Sequence, residues 1–276
     1  MIAKEQLSAR QRLAQEGLWQ RQPLITSTYK RLGLLLVAIA YVFLALSSVD
    51  VNWARVAEGL SRGLNFIAAF AQPDFISRWD DIVDGIIESL TMAFTSTVIG
   101  VALAIPVGLG AARNIAPLPI YLFCRSIIAV SRSFQEVIIA ILFVVMFGFG
   151  PLAGMITLAF ATIGFMAKLL AEDIEDINHS QVEAIRTTGA SWLQVMNYAV
   201  QPQVMPRLIG LSIYRLDINF RESAVIGIVG AGGIGATLNT SLSRYEYDTS
   251  AAILLIIIAI VLMTEYFSSY VRKWVQ

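Results

Sequence analysis

The sequence predicts an all-α polytopic membrane protein, a bundle of about six transmembrane helices. Hydrophobic residues make up 57% of the 276 residues and charged residues only 14%, whereas soluble domains carry about a quarter charged residues. Runs of apolar residues recur along the chain, and a bilayer core of about 30 Å calls for roughly 20 such residues per crossing helix.

The first run, 32–49, is uncharged and follows an arm, 1–31, that contains Arg10, Arg12, Arg21, Lys30 and Arg31. No small-residue cleavage site comes after it, so it reads as a retained anchor. Between 52 and 81, Trp53, Phe66, Phe70, Phe75 and Trp79 alternate with Arg55, Arg62 and Arg78. Aromatic and basic groups at headgroup level suit an interfacial helix at the outer mouth. The segment 32–81 is therefore read as one unit and 82–276 as the core. The second run, 82–112, is rich in Ser, Thr, Ala and Gly, small residues that let helices approach closely in lipid. It should lie inside the bundle. The third, 117–147, is too long for one straight crossing and reads as one bent or tilted helix, with two short helices as the alternative. The fourth runs from 151 to about 170, the fifth from 206 to about 229, and the sixth from about 250 to 271.

Lys and Arg concentrate on cytoplasmic loops. With the amino terminus inside, the inner segments hold twelve basic residues and the outer ones four, namely Arg55, Arg62, Arg78 and Arg244. That excess places both termini in the cytoplasm. Twenty basic residues balance twenty acidic ones, which leaves no uniform field for nucleic acid. One cysteine, Cys124, and one histidine, His179, exclude an internal disulfide and a His/Cys metal cluster. Cys124 reads as a packing residue and His179 as a solvated or capping one.

The longest inner polar segment after the arm is 171–205. It opens on Glu172, Asp173, Glu175 and Asp176, and then Val182, Ile185, Trp192, Leu193 and Met196 recur near helical spacing around Gly189. Two short amphipathic helices hinged at a glycine fit this pattern. Within it, Glu183 and Ala184, with Gly189 and then Pro202, resemble the EAA loop of the membrane subunits of ABC importers. Ile185 stands where that family has a further alanine, and Ala199-Val200-Gln201-Pro202 replaces its Ile-x-Leu-Pro ending. The flanking stretches FGFGPLAGMITLAFATIGFMAKLLAE and QPQVMPRLIGLSIYRLDINFRESAVIGIVGAGGIGATL are similar to the permeases of phosphonate and phosphite importers, the PhnE type. The resemblance covers 82–276, and the glycine-rich part is shared with methionine importer permeases.

The resemblance implies a MetI-like type I importer fold and a permease that forms a path for phosphonate, phosphite or phosphate by ATP-driven alternating access, in a bacterial inner membrane. It implies a second copy of the chain, a pair of cytoplasmic ATPase subunits docked around Glu183, Ala184, Ile185, Gly189, Ala190 and Pro202, and an extracytoplasmic binding protein. The sequence contains no G-x-x-x-x-G-K-[ST] pattern, so ATP and Mg are expected on the partner ATPase, with no cofactor on this chain. A methionine permease and an ion-coupled secondary transporter are the alternatives.

Gly230, Gly232 and Gly235 match G-x-G-x-x-G, but no acid follows about 20 residues on, as a dinucleotide fold requires. Irregular backbone near a span's outer end explains the glycines better. Charges inside spans cost at least about 2.5 to 3.5 kcal/mol unless paired or hydrated. Arg132 and Glu136 stand four apart, close enough to pair on one helix, and Arg215, Asp217, Arg221 and Glu222 form a second balanced group. These groups either neutralise one another and fix helix packing, or present an arginine to a passing oxyanion. Ser131, Ser133 and Ser223, like Thr91 and Thr95, either bond that anion or satisfy carbonyls of their own helices.

Overall fold

The computed structural model describes residues 27–48 and 52–275. Most of the arm 1–31 lies outside the described residues. The chain divides into two compact units, Met1–Ser61 and Arg62–Gln276. Among the described residues every regular element is a helix. In the first unit, α1 (Thr28–Ser47) carries the first apolar run. Helix α2 (Trp53–Ala69) begins in this unit and continues past its boundary at Ser61, with Trp53, Val56, Leu60, Leu64 and Ile67 recurring every three or four residues on one side.

The second unit is built on α3 (Trp79–Ala111) and α6 (Pro151–Glu175), the most extensively packed pair of helices. Along α3 the buried positions Gly85, Ser89, Ala93, Ser96, Gly100, Ala104 and Gly108 follow one another at intervals of three and four. They form the small stripe expected of an interior helix. A Cβ on Gly100 would lie 2.5 Å from the Thr162 Cβ, so only glycine lets α3 sit this close to α6. Cys124 is buried with its Sγ against Gly110, a packing position.

The third run is not one bent helix. It is two helices, α4 (Leu118–Ser133) and α5 (Glu136–Phe147), turned 94° from one another. Phe134 and Gln135 between them are extended, with φ −106°, ψ 142° and φ −73°, ψ 141°. Arg132 occupies the last turn of α4 and Glu136 the first turn of α5. Each charge complements the dipole of its own helix end. The two residues flank a break rather than share a face.

Helix α6 continues through Glu172 and Asp173 to Glu175, so three of the four acids expected in a loop are helical. Asp173 is buried and pairs with Arg207 at 2.8 Å. There follow α7 (His179–Thr187) and α8 (Trp192–Val195). A π-helical turn, Met196–Val200, leads into α9 (Gln201–Ile226), and a second, Gly227–Ala231, leaves it. Pro206 lies inside α9 rather than at its start. Helices α10 (Ile234–Ser243) and α11 (Tyr247–Val275) complete the fold. Four described helices are long and apolar enough to cross a bilayer, and six crossings result if each of two bent pairs counts as one.

Candidate functional site

Three groups of residues carry the sequence-predicted sites. The first is the α7–α8 turn. Asn178 caps α7 by accepting from the Ser180 N–H at 3.0 Å, and its own N–H donates to Gln203 Oε1 at 2.9 Å. Val182 is buried among Ile174, Val195, Val204 and Leu208, which fixes the inner face of the helix. Glu183 and Ala184 are exposed and Ile185 half-buried. After α7 the chain reverses at Gly189, where φ is +80°, a left-handed conformation that favours glycine. Ala190 is half-buried beyond it, and the Ser191 N–H donates to Gln194 Oε1 at 2.7 Å at the start of α8. Trp192 and Leu193 remain 55% and 66% exposed. Pro202 follows directly on the π turn Met196–Val200, where the regular helical ladder is already interrupted. A cavity of about 330 Å³ separates α7 from α8, lined by His179, Glu183, Arg186 and Trp192 among others. This is the glycine-hinged pair of short helices that the spacing predicts; of the EAA-like residues, Ala184 and Pro202 are exposed, and Glu183 is exposed while lining the cavity between the helices.

The second group is a buried polar cluster between α3, α5, α6 and α9. Arg215, 4% exposed, donates from Nη2 to Glu136 Oε1 at 2.9 Å and from Nε to Thr162 Oγ1 at 3.1 Å. Its guanidinium lies 5.4 Å from the Phe165 ring centroid, within cation–π range. One turn on, fully buried Asn219 donates from Nδ2 to Thr97 Oγ1 at 2.8 Å and to Thr162 Oγ1 at 3.0 Å. A longer contact of 3.4 Å reaches Ser96 Oγ. Glu136 therefore pairs with Arg215, across helices, and not with Arg132. Glu222 lies beside Glu136, in the field of Arg215 and Arg221. Arg221 pairs with Asp217 on its own helix, and Asp217 also accepts from Thr264 of α11 at 2.9 Å.

The arginines thus separate by environment. Arg215 is enclosed and satisfied. Arg221 keeps 43% of its side chain exposed, and Arg132 is exposed, with no ion pair among the described residues. The serines are engaged: Ser131 donates to Phe160 O at 2.8 Å, Ser133 to Ala129 O at 2.6 Å and Ser223 to Phe220 O at 2.7 Å. Thr95 likewise donates to Thr91 O. Ser133, Ser223 and Thr95 bond carbonyls of their own helices, whereas Ser131 of α4 reaches across to a carbonyl of α6.

The third group is the glycine-rich turn between α9 and α10. Gly230, Gly232 and Gly233 have φ of +97°, +80° and +72°. Gly230 O accepts from the Gly150 N–H at 3.0 Å. The Gly233 N–H donates to Glu88 Oε2 at 2.9 Å and the Ile234 N–H to Ser89 Oγ at 3.0 Å. The Gly233 and Ile234 N–H groups, the kind that a nucleotide-binding loop offers to phosphate, are here spent on α3, and the Gly230 carbonyl holds the start of α6. The turn is a structural joint.

Asn219, Thr162 and Thr97 were not singled out as a site by sequence reasoning. The signal was present in α9, where Asn219 follows Arg215 by four positions and Glu222 and Ser223 follow Asn219 by three and four, which places the four on one face of the helix.

Residues 104–276 match the model for the binding-protein-dependent transport system inner membrane component. The phosphate-import permease protein PhnE of Mycolicibacterium smegmatis is 36% identical over 244 residues, 88% of this chain. The chain spans 46% of that protein's length. The phosphite transport system permease protein PtxC of Stutzerimonas stutzeri is 39% identical over 250 residues, covering 89% of this chain and 90% of the relative. Among solved structures, an inward-facing MetNI methionine ABC transporter superposes with a TM-score of 0.62 at 23% identity, over 71% of this chain and 96% of the other. That likeness establishes a shared fold.

Proposed function

The chain belongs to the binding-protein-dependent transport system inner membrane component family, and from that premise we propose that it is the permease subunit of an ABC importer for phosphonate or a related phosphorus oxyanion, phosphite or phosphate. Two copies of the chain form the path across a bacterial inner membrane, with both termini in the cytoplasm. A pair of separate ATPase subunits binds ATP and Mg and docks on the segment from Glu183 to Pro202. A binding protein delivers solute on the outer side. ATP-driven closure of the ATPases displaces α7, and access alternates between the two faces.

The observation that carries this reading is α7 itself. It is a capped helix whose Val182 side is anchored in the core, whose Glu183 and Ala184 are exposed, and whose following turn leads through α8 and a π turn into α9. The names of the two relatives supply the solute class, phosphate for one and phosphite for the other. Of the three arginines expected to meet a passing anion, Arg132 and Arg221 are exposed and Arg215 is not, and a guanidinium offers a fork of donors to an oxyanion. Ser131, Ser133 and Ser223 already donate their hydroxyl protons to carbonyls, so contact with a passing anion falls to the two arginines. An anion that must leave again is served better by such open groups than by a closed cage.

The test is ATP hydrolysis by the reconstituted complex of this chain, its ATPase and its binding protein, with phosphonate, phosphite, phosphate and methionine added in turn. Stimulation by a phosphorus oxyanion is expected. Stimulation by methionine alone would replace the solute, and no hydrolysis with any addition would remove the importer reading.

A further inference from the structure

The half-helix α5 is attached at both ends to one continuous downstream run. At its start, Glu136 Oε1 accepts from Arg215 Nη2 at 2.9 Å. Just past its end, the Gly150 N–H donates to Gly230 O at 3.0 Å. Glu136 and Gly150 are 14 positions apart, and Arg215 and Gly230 are 15 apart. Of these stretches, Glu136–Phe147 and Arg215–Ile226 are α-helical, twelve residues and about 18 Å each at a rise of about 1.5 Å per residue. Segments of equal length, joined at both ends and running in the same direction, lie alongside one another without stretching either. Helix α5 also packs directly on α9 and on the π turn Gly227–Ala231.

The run to which α5 is attached starts at the docking segment. From Trp192 the backbone is helical through the π turn Met196–Val200 and on to Ile226, so α9 is the continuation of the turn at Gly189. Arg215 and Asn219 join the same helix to Thr162 of α6, and Asn219 joins it to Thr97 of α3. Joints at two levels of α9, Arg215 and Asn219, and a third at Gly230 in the π turn beyond it thus tie this run to α3, α5 and the start of α6.

We propose that Arg215 is a positioning residue of the transport cycle: with the Gly150–Gly230 joint it fixes α5 lengthwise on α9, so that displacement of α7 carries α5 as part of one rigid body, and α5 does not open on its own. The proposal rests on the importer reading given above. Arg215 is enclosed, so its part in transport is mechanical and separate from any contact of Arg132 or Arg221 with solute.

Two measurements test it. In the reconstituted complex, solute taken up per ATP hydrolysed is compared for the wild type, Arg215→Met, and the charge swap Arg215→Glu with Glu136→Arg. The expected result is that Arg215→Met still hydrolyses ATP while uptake per ATP falls about tenfold, within the range of ordinary coupling energies, and that the swap restores part of the loss. A merely structural role would lower uptake and hydrolysis together and leave their ratio unchanged, which overturns the proposal. Independently of transport, spin labels are placed at the exposed positions Val145 of α5 and Ile228 of the π turn, in a Cys124→Ala background. With labelled chain diluted in unlabelled chain so that only the two labels of one copy are paired, one narrow distance is expected in the intact chain, unchanged by ATP in the complex, and a broadened distance in Arg215→Met. A distance that shifts with ATP in the intact chain would show α5 moving on its own. If the wild-type complex shows no solute-stimulated hydrolysis, the importer reading fails while the label distances still decide whether α5 is fixed to α9.

Discussion

Arg215 and Asn219 sit one turn apart on α9, yet their substitutions should differ in cost. Removing one partner of a buried ion pair leaves an uncompensated charge and costs about 3–5 kcal/mol. Hydrogen bonds between helices in lipid average only about 0.6 kcal/mol. Arg215→Met should therefore destabilise the chain strongly by stranding Glu136, whereas Arg215→Met with Glu136→Gln should recover most of the loss. Asn219→Leu removes two good contacts and one long one, for a cost of about 2 kcal/mol at most. Unfolding in mixed detergent micelles ranks the three, and a double variant no more stable than Arg215→Met would contradict the pairing. The sequence pointed to balanced charges inside spans but paired Glu136 with Arg132, because a spacing of four implies a continuous helix. A basic residue in a last turn followed by an acid in a first turn is also the signature of a helix end and a new start. That charge order is the one local mark of the break, since neither Phe134 nor Gln135 is a helix breaker.

At the scale of elements, two turns with left-handed glycines predict opposite phenotypes. Gly189 has φ +80° with open space where a Cβ would lie, whereas at Gly232, also φ +80°, a Cβ would fall 2.7 Å from the Pro151 nitrogen. Gly189→Ala therefore incurs only the left-handed penalty of about 1–2 kcal/mol. It should insert and fold, and any loss should appear as weaker association with the ATPase, measured by co-purification. Gly232→Val adds a backbone collision to that penalty, in a turn that carries the joints from α10 to α3 and from α9 to α6. It should fail to accumulate in the membrane, and normal expression with normal uptake would show the turn to be adaptable. Legibility follows the same division. The hinge at Gly189 was readable because apolar periodicity stops and resumes around it. The π turns were not, because a π turn inserts one residue into a helix without a residue type of its own, and Pro206 drew the expected start of the fifth span past the real one. The small stripe of α3 was readable because lipid offers no other reason for such a row.

For the core unit Arg62–Gln276, the most telling feature is where ionisable groups remain uncovered. An arginine at bilayer depth facing hydrocarbon costs at least about 2.5 to 3.5 kcal/mol, and Arg132 lies in the last turn of α4, next to the 94° break before α5, exposed. The sign of a substitution separates the possible surroundings. If Arg132 met lipid, Arg132→Leu would raise stability by about 3 kcal/mol and leave uptake intact. If it faces a hydrated path completed by a second copy, Arg132→Leu should gain no stability, and uptake should fall with the amount of assembled complex unchanged. The same reasoning applies more weakly to Arg221, because Asp217 already neutralises part of its charge. Arg221→Gln should reduce uptake less than Arg132→Gln, since the carboxylate competes with a passing anion for the same donors. Uptake rates normalised to the complex recovered from the membrane, together with detergent unfolding of each variant, decide the matter. A stabilised and fully active Arg132→Leu would remove this residue from the path.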